Sequence, residues 1–447
     1  MIHEARQNGM RVGDARGDRA ERPRLLFLTH RVPYPPDRGD RIRSYNMLKA
    51  LAGRFDVSVA CVTEEGVSRD QLEEMKRLSV RFAWANMGKV KKAWRAGMGV
   101  VRGKAITPSV FYDVELASVV KSWHAGERFD AVVSFCSGMT GYAEDVLVMS
   151  DEREKPIYHL DLVDVDSAKW ASYAEDVRGW KRWLYGREAK LLQEVERGVG
   201  ADYVSVVSDR ELEVYSALRR NGDGGGKSMI VGNGVDLDYF MPRLDYGAEV
   251  KDIVFVGVLD YKPNVEGVVW FANQVMGQLR EIDSEVRFKV VGKDACAEVL
   301  GVDGVNGTEV VGAVDDVRPY IWGSAVVVAP LALARGVQNK VLEAMSCGRT
   351  VVCSPAAAAG VDAMVGRDLF TAKNAGEYVK LISRLLKYPE AREVVGQAAR
   401  RRMEERYGWR AAMQPLVELL SRNVGAKGAA QGQLSAPEVQ QAMKRAA

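Results

Sequence analysis

No stretch of this chain approaches the ~20 consecutive apolar residues that a membrane-spanning helix requires, so no transmembrane helix is expected. Cysteine is scarce and unpatterned. Its five residues, Cys61, Cys136, Cys296, Cys347 and Cys353, are odd in number and form no C-x-x-C pair. That speaks against a disulfide framework and a zinc site, and points to a reducing, cytoplasmic setting. Neither sign of charge prevails: 63 Lys and Arg against 60 Asp and Glu leave a net charge of +3. Any basic surface must therefore be local, and without a recognition motif nucleic acid is not an expected partner. A full G-x-G-x-x-G is also missing, which removes dinucleotide binding. The run NGDGGGKS at 221–228 is one residue short of a P-loop. A helical pattern precedes it and an apolar strand follows, the reverse of what a P-loop needs, so it reads as a flexible link between domains. Residues 1–23 mix Arg with Asp and Glu and lack an apolar segment, so they read as a disordered extension and not as a signal peptide.

At 447 residues the chain is long for one core, and two domains are the default. Short, β-branched apolar runs at 24–29, 57–62, 80–83, 131–135, 156–160 and 203–207 alternate with helical spacers, which argues for βα units and a parallel sheet over residues 24–220. After the 221–228 link the alternation resumes with 229–231, 253–256, 287–291, 309–311, 325–329 and 350–353, giving a second domain over 229–405. The pattern breaks at 406–409 before a last helix that ends near 424; the Ala-, Gly- and Gln-rich residues 425–447 read as a disordered tail.

The residues with chemistry gather at loops that follow strands. Between the runs at 325–329 and 350–353, a turn and a helix over 339–346 place Arg335, Gly336, Asn339, Lys340 and Glu343 at a helix N-terminus, beyond the carboxyl end of a strand. Open α/β sheets bind ligands there, and free backbone N–H groups attract phosphate. Near 24–29, Pro33, Pro35 and Pro36 hold a loop open until Gly39 turns it into a helix. The segment YHLDLVDVDSAKW leaves another strand with His159, Asp161, Asp164, Asp166 and Ser167. Its D-x-D mimics a divalent-metal site. Asn264 stands where a helix N-cap is expected, and Ser208 with Glu211 form a capping-box pattern. Residues 89–104 carry Lys89, Lys91, Lys92, Arg95, Arg102 and Lys104 around Trp94, with no acidic residue. That composition suits a helix lying on an anionic membrane surface, and equally a solvated helix face.

The run RGVQNKVLEAMSCGRTVV resembles the C-terminal signature of the retaining glycosyltransferases of family 4, and is closer still to the sugar transferases associated with bacterial PEP-CTERM/exosortase gene clusters. N-G-V-D at 233–236 and the D-x-D-S-x-x-W element at 164–170 carry the same resemblance. It implies an α/β protein of the GT-B fold, with two Rossmann-like domains facing a cleft and a terminal helix crossing back to the first. It also implies hexosyl transfer from a nucleotide-diphosphate sugar, without a metal or other cofactor, to a lipid-linked or growing exopolysaccharide or cell-envelope acceptor, with retention at the anomeric carbon. Family matching assigns donor contacts to Gly39, Asn233, Gly257, Lys262, Gly312 and Glu343, and a catalytic neighbourhood to His159, Asp161, Asp164 and Asp166. The sequence departs from the pattern twice: Val258 stands where an Arg is expected, and Arg335 where a Glu is expected. Arg335 and Lys340, with Gly336 and Asn339 at the helix head, are the compensating diphosphate ligands this implies. Two rivals stay open: a nucleotide-sugar 2-epimerase of the same fold, which would consume donor without acceptor, and a non-catalytic, membrane-associated polysaccharide-assembly module. The expected location is cytoplasmic, with peripheral contact to the inner face of the plasma membrane if residues 89–104 dock there.

Overall fold

The computed structural model describes residues 2–6, 22–64, 66–175, 177–198, 200–219, 226–243, 251–334 and 337–445. The chain forms two compact units, one comprising residues up to Gly232 together with those from Met413 onward, the other Asn233–Ala412.

The first unit is built on strands β1 (Ile2–Arg6), β2 (Arg24–Thr29), β3 (Asp56–Thr63), β4 (Arg81–Asn86), β5 (Ala131–Phe135), β6 (Ile157–Val163), β7 (Tyr203–Val206) and β8 (Lys227–Ile230), in the spatial order β1-β4-β3-β2-β5-β6-β7-β8. All neighbours are parallel except the edge strand β1, which runs antiparallel to β4. Leu25, Leu26, Phe27 and Leu28 on β2 are fully buried on both faces of the sheet. That is why this strand reads as a continuous apolar run and not as an alternation. The chain order reverses between β2 and β5, which makes the carboxyl ends of these two strands the switch point of the sheet.

In the second unit, β9 (Asp252–Val256), β10 (Arg287–Val291), β11 (Thr308–Gly312), β12 (Val326–Ala329), β13 (Val351–Cys353) and β14 (Phe370–Thr371) form an all-parallel sheet in the order β11-β10-β9-β12-β13-β14. Its switch point lies between β9 and β12. Ile253, Val254 and Phe255 of β9 and Val326, Val327 and Val328 of β12 are buried at the centre of the core beneath it.

Four expectations change. The N-terminal extension contributes the strand β1, whose antiparallel pairing with β4 satisfies an edge that sequence alone leaves open. Residues 229–231 are expected from the sequence to start the second domain, but 229 and 230 belong to β8, which pairs with β7 in the first sheet. The last helix does not stop near residue 424 but runs Trp409–Arg445, through the segment read as a disordered tail. Finally, Ser208 accepts a bond from the Glu211 N–H at 3.3 Å, but the Glu211 carboxylate turns away to accept from the Val165 N–H at 2.8 Å, so the box is half formed. Residues 220–225, the core of the P-loop lookalike, lie outside the described residues.

Candidate functional site

In the second unit the site grows from the β9/β12 switch point. β9 ends at Val256, Gly257 follows it directly, and the helix Lys262–Gln274 comes next. Asn264 is not its N-cap: Tyr261 holds that position, and Asn264 sits buried in the first turn. There its amide donates to the Val258 carbonyl at 2.7 Å and accepts from Lys340 Nζ at 2.5 Å. Lys340 comes from the first turn of the helix Asn339–Ser346, and its ammonium also lies 4.5 Å from the centroid of the Phe255 ring. Gly257 is what allows this approach. A Cβ there would stand 2.9 Å from Asn264 Nδ2 and 3.2 Å from Lys340 Nζ.

One helical turn on, Glu343 shares this environment. Burial pushes its carboxyl up to about 7 against the pull of Lys340, and burial pushes Lys340 down to about 8 against the pull of Glu343. Among the described residues no side chain hydrogen-bonds the Glu343 carboxylate. The cluster therefore offers a cation, the N-terminal N–H groups of a helix and an unpaired carboxylate, a combination suited to a phosphate and to hydroxyl groups. Asn339 is exposed at the helix head, whereas Arg335 and Gly336 lie outside the described residues. Gly312 ends β11 with φ of 79°, its carbonyl accepting from the Gly292 N–H at 2.8 Å. Lys262 stands apart from the cluster: its side chain is 85% exposed, 3.8 Å from Glu266 in the same helix.

Asn233-Gly234-Val235-Asp236 opens the second unit. The Val235 N–H donates to the Tyr407 carbonyl at 2.7 Å, and a Cβ at Gly234 would fall 2.6 Å from the Trp409 ring, so glycine is what fits. Asp236 caps the following turn, accepting from the N–H groups of Asp238 and Tyr239.

The first unit places the remaining candidates in two settings. Asp164 and Asp166 lie at the carboxyl end of β6. Lys169 Nζ sits 2.8 Å from Asp164 and 3.7 Å from Asp166, filling the position between two carboxylates that a cation would take. Ser137, just beyond β5, donates to Asp166 at 3.0 Å; burial nevertheless raises the Asp166 carboxyl above its usual range. Ser167 donates through its backbone N–H to Glu196, a buried carboxyl pushed up to about 7 mainly by desolvation. Gly39 begins the helix Gly39–Ala52, with open space around its α-carbon.

His159 and Asp161 do not join them. Both are 0% exposed, inside the sheet. Asp161 takes two bonds from Arg43, at 2.9 and 2.8 Å, and one from Ser205 at 2.6 Å; His159 shares Ser205 at 2.8 Å. Arg43 also donates to the carbonyls of Val231 and Gly232, so this network anchors the end of the first unit's sheet. Residues this enclosed are interior groups, set apart from Asp164 and Asp166 at the end of the strand. The contacts of Asn264 with Lys340, of Ser137 with Asp166 and of Arg43 with Asp161 were not legible in the sequence, because each joins residues more than 25 positions apart in the chain.

Residues 250–388 match the family model described as glycosyl transferases group 1. Among curated proteins none matches the chain. Among solved structures, sucrose-phosphate synthase from Thermosynechococcus elongatus is similar with a TM-score of 0.60 at 16% identity, over 91% of this chain and 100% of that one. HepE from Anabaena, in complex with UDP, has a TM-score of 0.58 at 14% identity, over 89% and 100% of the two chains. The lipopolysaccharide outer core galactosyltransferase WaaB has 0.54 at 13% identity, over 90% and 98%. At these identities the likeness speaks to the fold. The chain thus has the GT-B fold of glycosyltransferases, and its residues 250–388, which hold Gly257, Asn264, Lys340 and Glu343, carry the likeness to glycosyl transferases group 1.

Proposed function

We propose that this protein transfers a sugar from a nucleotide-diphosphate sugar to a lipid-linked or growing cell-envelope glycan, with retention of configuration. The observation that carries the reading is the cluster of Gly257, Asn264, Lys340 and Glu343 at the β9/β12 switch point, inside the group 1 segment. Structures of Anabaena HepE contain UDP and UDP-glucose, which supports a nucleotide-sugar donor here. In this reading Glu343 accepts from the ribose hydroxyls, while Lys340 and the N–H groups heading its helix hold the diphosphate. Negative charge grows on that diphosphate as the sugar departs, so donors already fixed around it stabilise the transition state more than the ground state. Arg335 supplies a second, forked cation in place of the Arg missing at position 258. Asp164, Asp166 and Lys169 serve the acceptor side, and no step calls for a metal. PEP-CTERM-type exopolysaccharide assembly is the setting the sequence resemblance supports.

The test is binding followed by turnover. Nucleoside diphosphates and their sugars should raise the melting temperature of the full chain. Glu343→Ala should weaken that binding roughly 10- to 100-fold, the loss of one or two charge-assisted bonds. A folded Glu343→Ala variant that binds every nucleotide as the parent does would remove the site. Donor consumed in the absence of acceptor would favour the epimerase.

A further inference from the structure

At the switch point of the first sheet, β2 and β5 end side by side and deliver His30 and Cys136 to the same place. Cys136 Sγ lies 3.5 Å from His30 Nδ1, and His30 Nε2 lies 3.3 Å from Asp40 Oδ2 in the first turn of the helix Gly39–Ala52. Two aromatic rings fix the imidazole between its partners: Phe135 stacks on it at 5.7 Å and Phe111 meets it edge-on at 5.5 Å. Cys136 itself is held at φ 71°, ψ 160°, a conformation that side chains rarely adopt, in a tight strand-to-helix turn. Backbone strain of this kind persists only where the surroundings impose it. Cys136 is partly exposed, and His30 lines a cavity of about 430 Å³ with Arg31, Thr63 and Lys92, which gives small molecules a route to the imidazole. The glycosyl-transfer reading gives none of these three groups a part.

We propose that Cys136, His30 and Asp40 form a nucleophile, base and orienting carboxylate that react covalently with small electrophiles, hydroperoxides among them. The arrangement is the one an activated thiol requires, with the base in hydrogen-bond reach of sulfur and a third group behind the base. Burial works against a charged His30, but the Cys136 sulfur and the Asp40 carboxylate outweigh it and raise the ring to about 9, so near neutral pH it holds the proton that a departing oxygen takes up. With a hydroperoxide, sulfur attacks the outer oxygen and the O–O bond breaks. The thiol proton passes through His30 to the departing oxygen, which leaves as water or an alcohol. Cys136 is oxidised by two electrons to a sulfenic acid while the peroxide is reduced. With an alkyl halide, the S–C bond forms as halide leaves with the electron pair, and His30 retains the proton.

The experiment treats the full chain with iodoacetamide at pH 7 and follows all five cysteines by peptide mass spectrometry. Cys136 is expected to react at least about tenfold faster than Cys296, the other partly exposed thiol. His30→Phe, which keeps the ring stacking, should lower the Cys136 rate about tenfold, and Asp40→Asn should lower it less. The buried Cys61, Cys347 and Cys353 should stay unreacted, and their labelling in His30→Phe would report unfolding and pass the decision to Asp40→Asn. Hydrogen peroxide followed by a dione that traps sulfenic acids should mark Cys136. Equal rates at Cys136 and Cys296, or a Cys136 rate indifferent to both variants, would overturn the proposal. Labelling is read without any donor or acceptor, so its failure and that of the glycosyl-transfer reading are separate results.

Discussion

Lys340 and Glu343 lie one helical turn apart, and burial shifts both toward their neutral forms. With Glu343 raised to about 7 and Lys340 lowered to about 8, acid removes the carboxylate that would accept ribose hydroxyls and alkali removes the cation that would meet the diphosphate. Nucleoside diphosphate affinity should therefore peak between these values and fall on both sides. Glu343→Gln should abolish the acid limb and leave the alkaline one. Titration calorimetry from pH 6 to 9 checks this, and a flat profile for the parent would show that neither group meets the nucleotide. This pair was only half legible in the sequence. The N-K-x-x-E spacing puts both residues on one helix face, but the surroundings of Lys340 depend on Phe255 and Asn264, which the fold brings in from β9 and the helix after it.

Strand β6 shows how much an element's course decides. Four of its candidates, His159, Asp161, Asp164 and Asp166, are close in sequence, yet the first two lie within the sheet and the last two beyond its end. The boundary at Val163 separates structure from chemistry. His159 carries a measurable consequence. Burial lowers it from 6.5 to about 4, so between those values the unfolded chain binds a proton that the folded chain refuses. Stability should fall as pH drops through this window, by up to about 3 kcal/mol for the one group. His159→Gln, which keeps a partner for Ser205, should remove that share of the slope. Urea denaturation at pH 7 and pH 4.5 measures it, and identical pH dependence in parent and variant would rule His159 out as the source. Periodicity located β6, but the D-L-V-D-V-D run gives no sign of where the strand ends, because Asp161 is tolerated inside through partners distant in the chain, Arg43 118 positions earlier and Ser205 44 later.

On the scale of the whole molecule, no described helix is long and apolar enough to cross a membrane. The helix Lys89–Val101 sorts its charges. Lys92 pairs with Glu64 and Arg95 with Asp113, while Lys89, Lys91, Arg102 and Lys104 stay exposed beside Trp94, 66% exposed. Reversing Lys89 and Lys91 together to Glu should therefore weaken binding to anionic vesicles roughly 30-fold or more at low salt, at ~1 kcal/mol for each charge lost near the surface. Reversal at Lys92 should act mainly on stability. Cosedimentation with vesicles separates the two, and equal partitioning to neutral and anionic lipid would end the membrane reading. By itself the sequence determined two parallel-sheet domains, since buried β-branched runs alternating with helices have few other ways to cover both faces. It also determined the helix head bearing Lys340 and Glu343, because strand, turn and helix are local. The tertiary structure alone decided that β8 completes the first sheet, that His159 and Asp161 are interior, and that His30 reaches Cys136. Each of these depends on which strands become neighbours, and strand order is set by packing between segments that carry no record of one another in their local pattern.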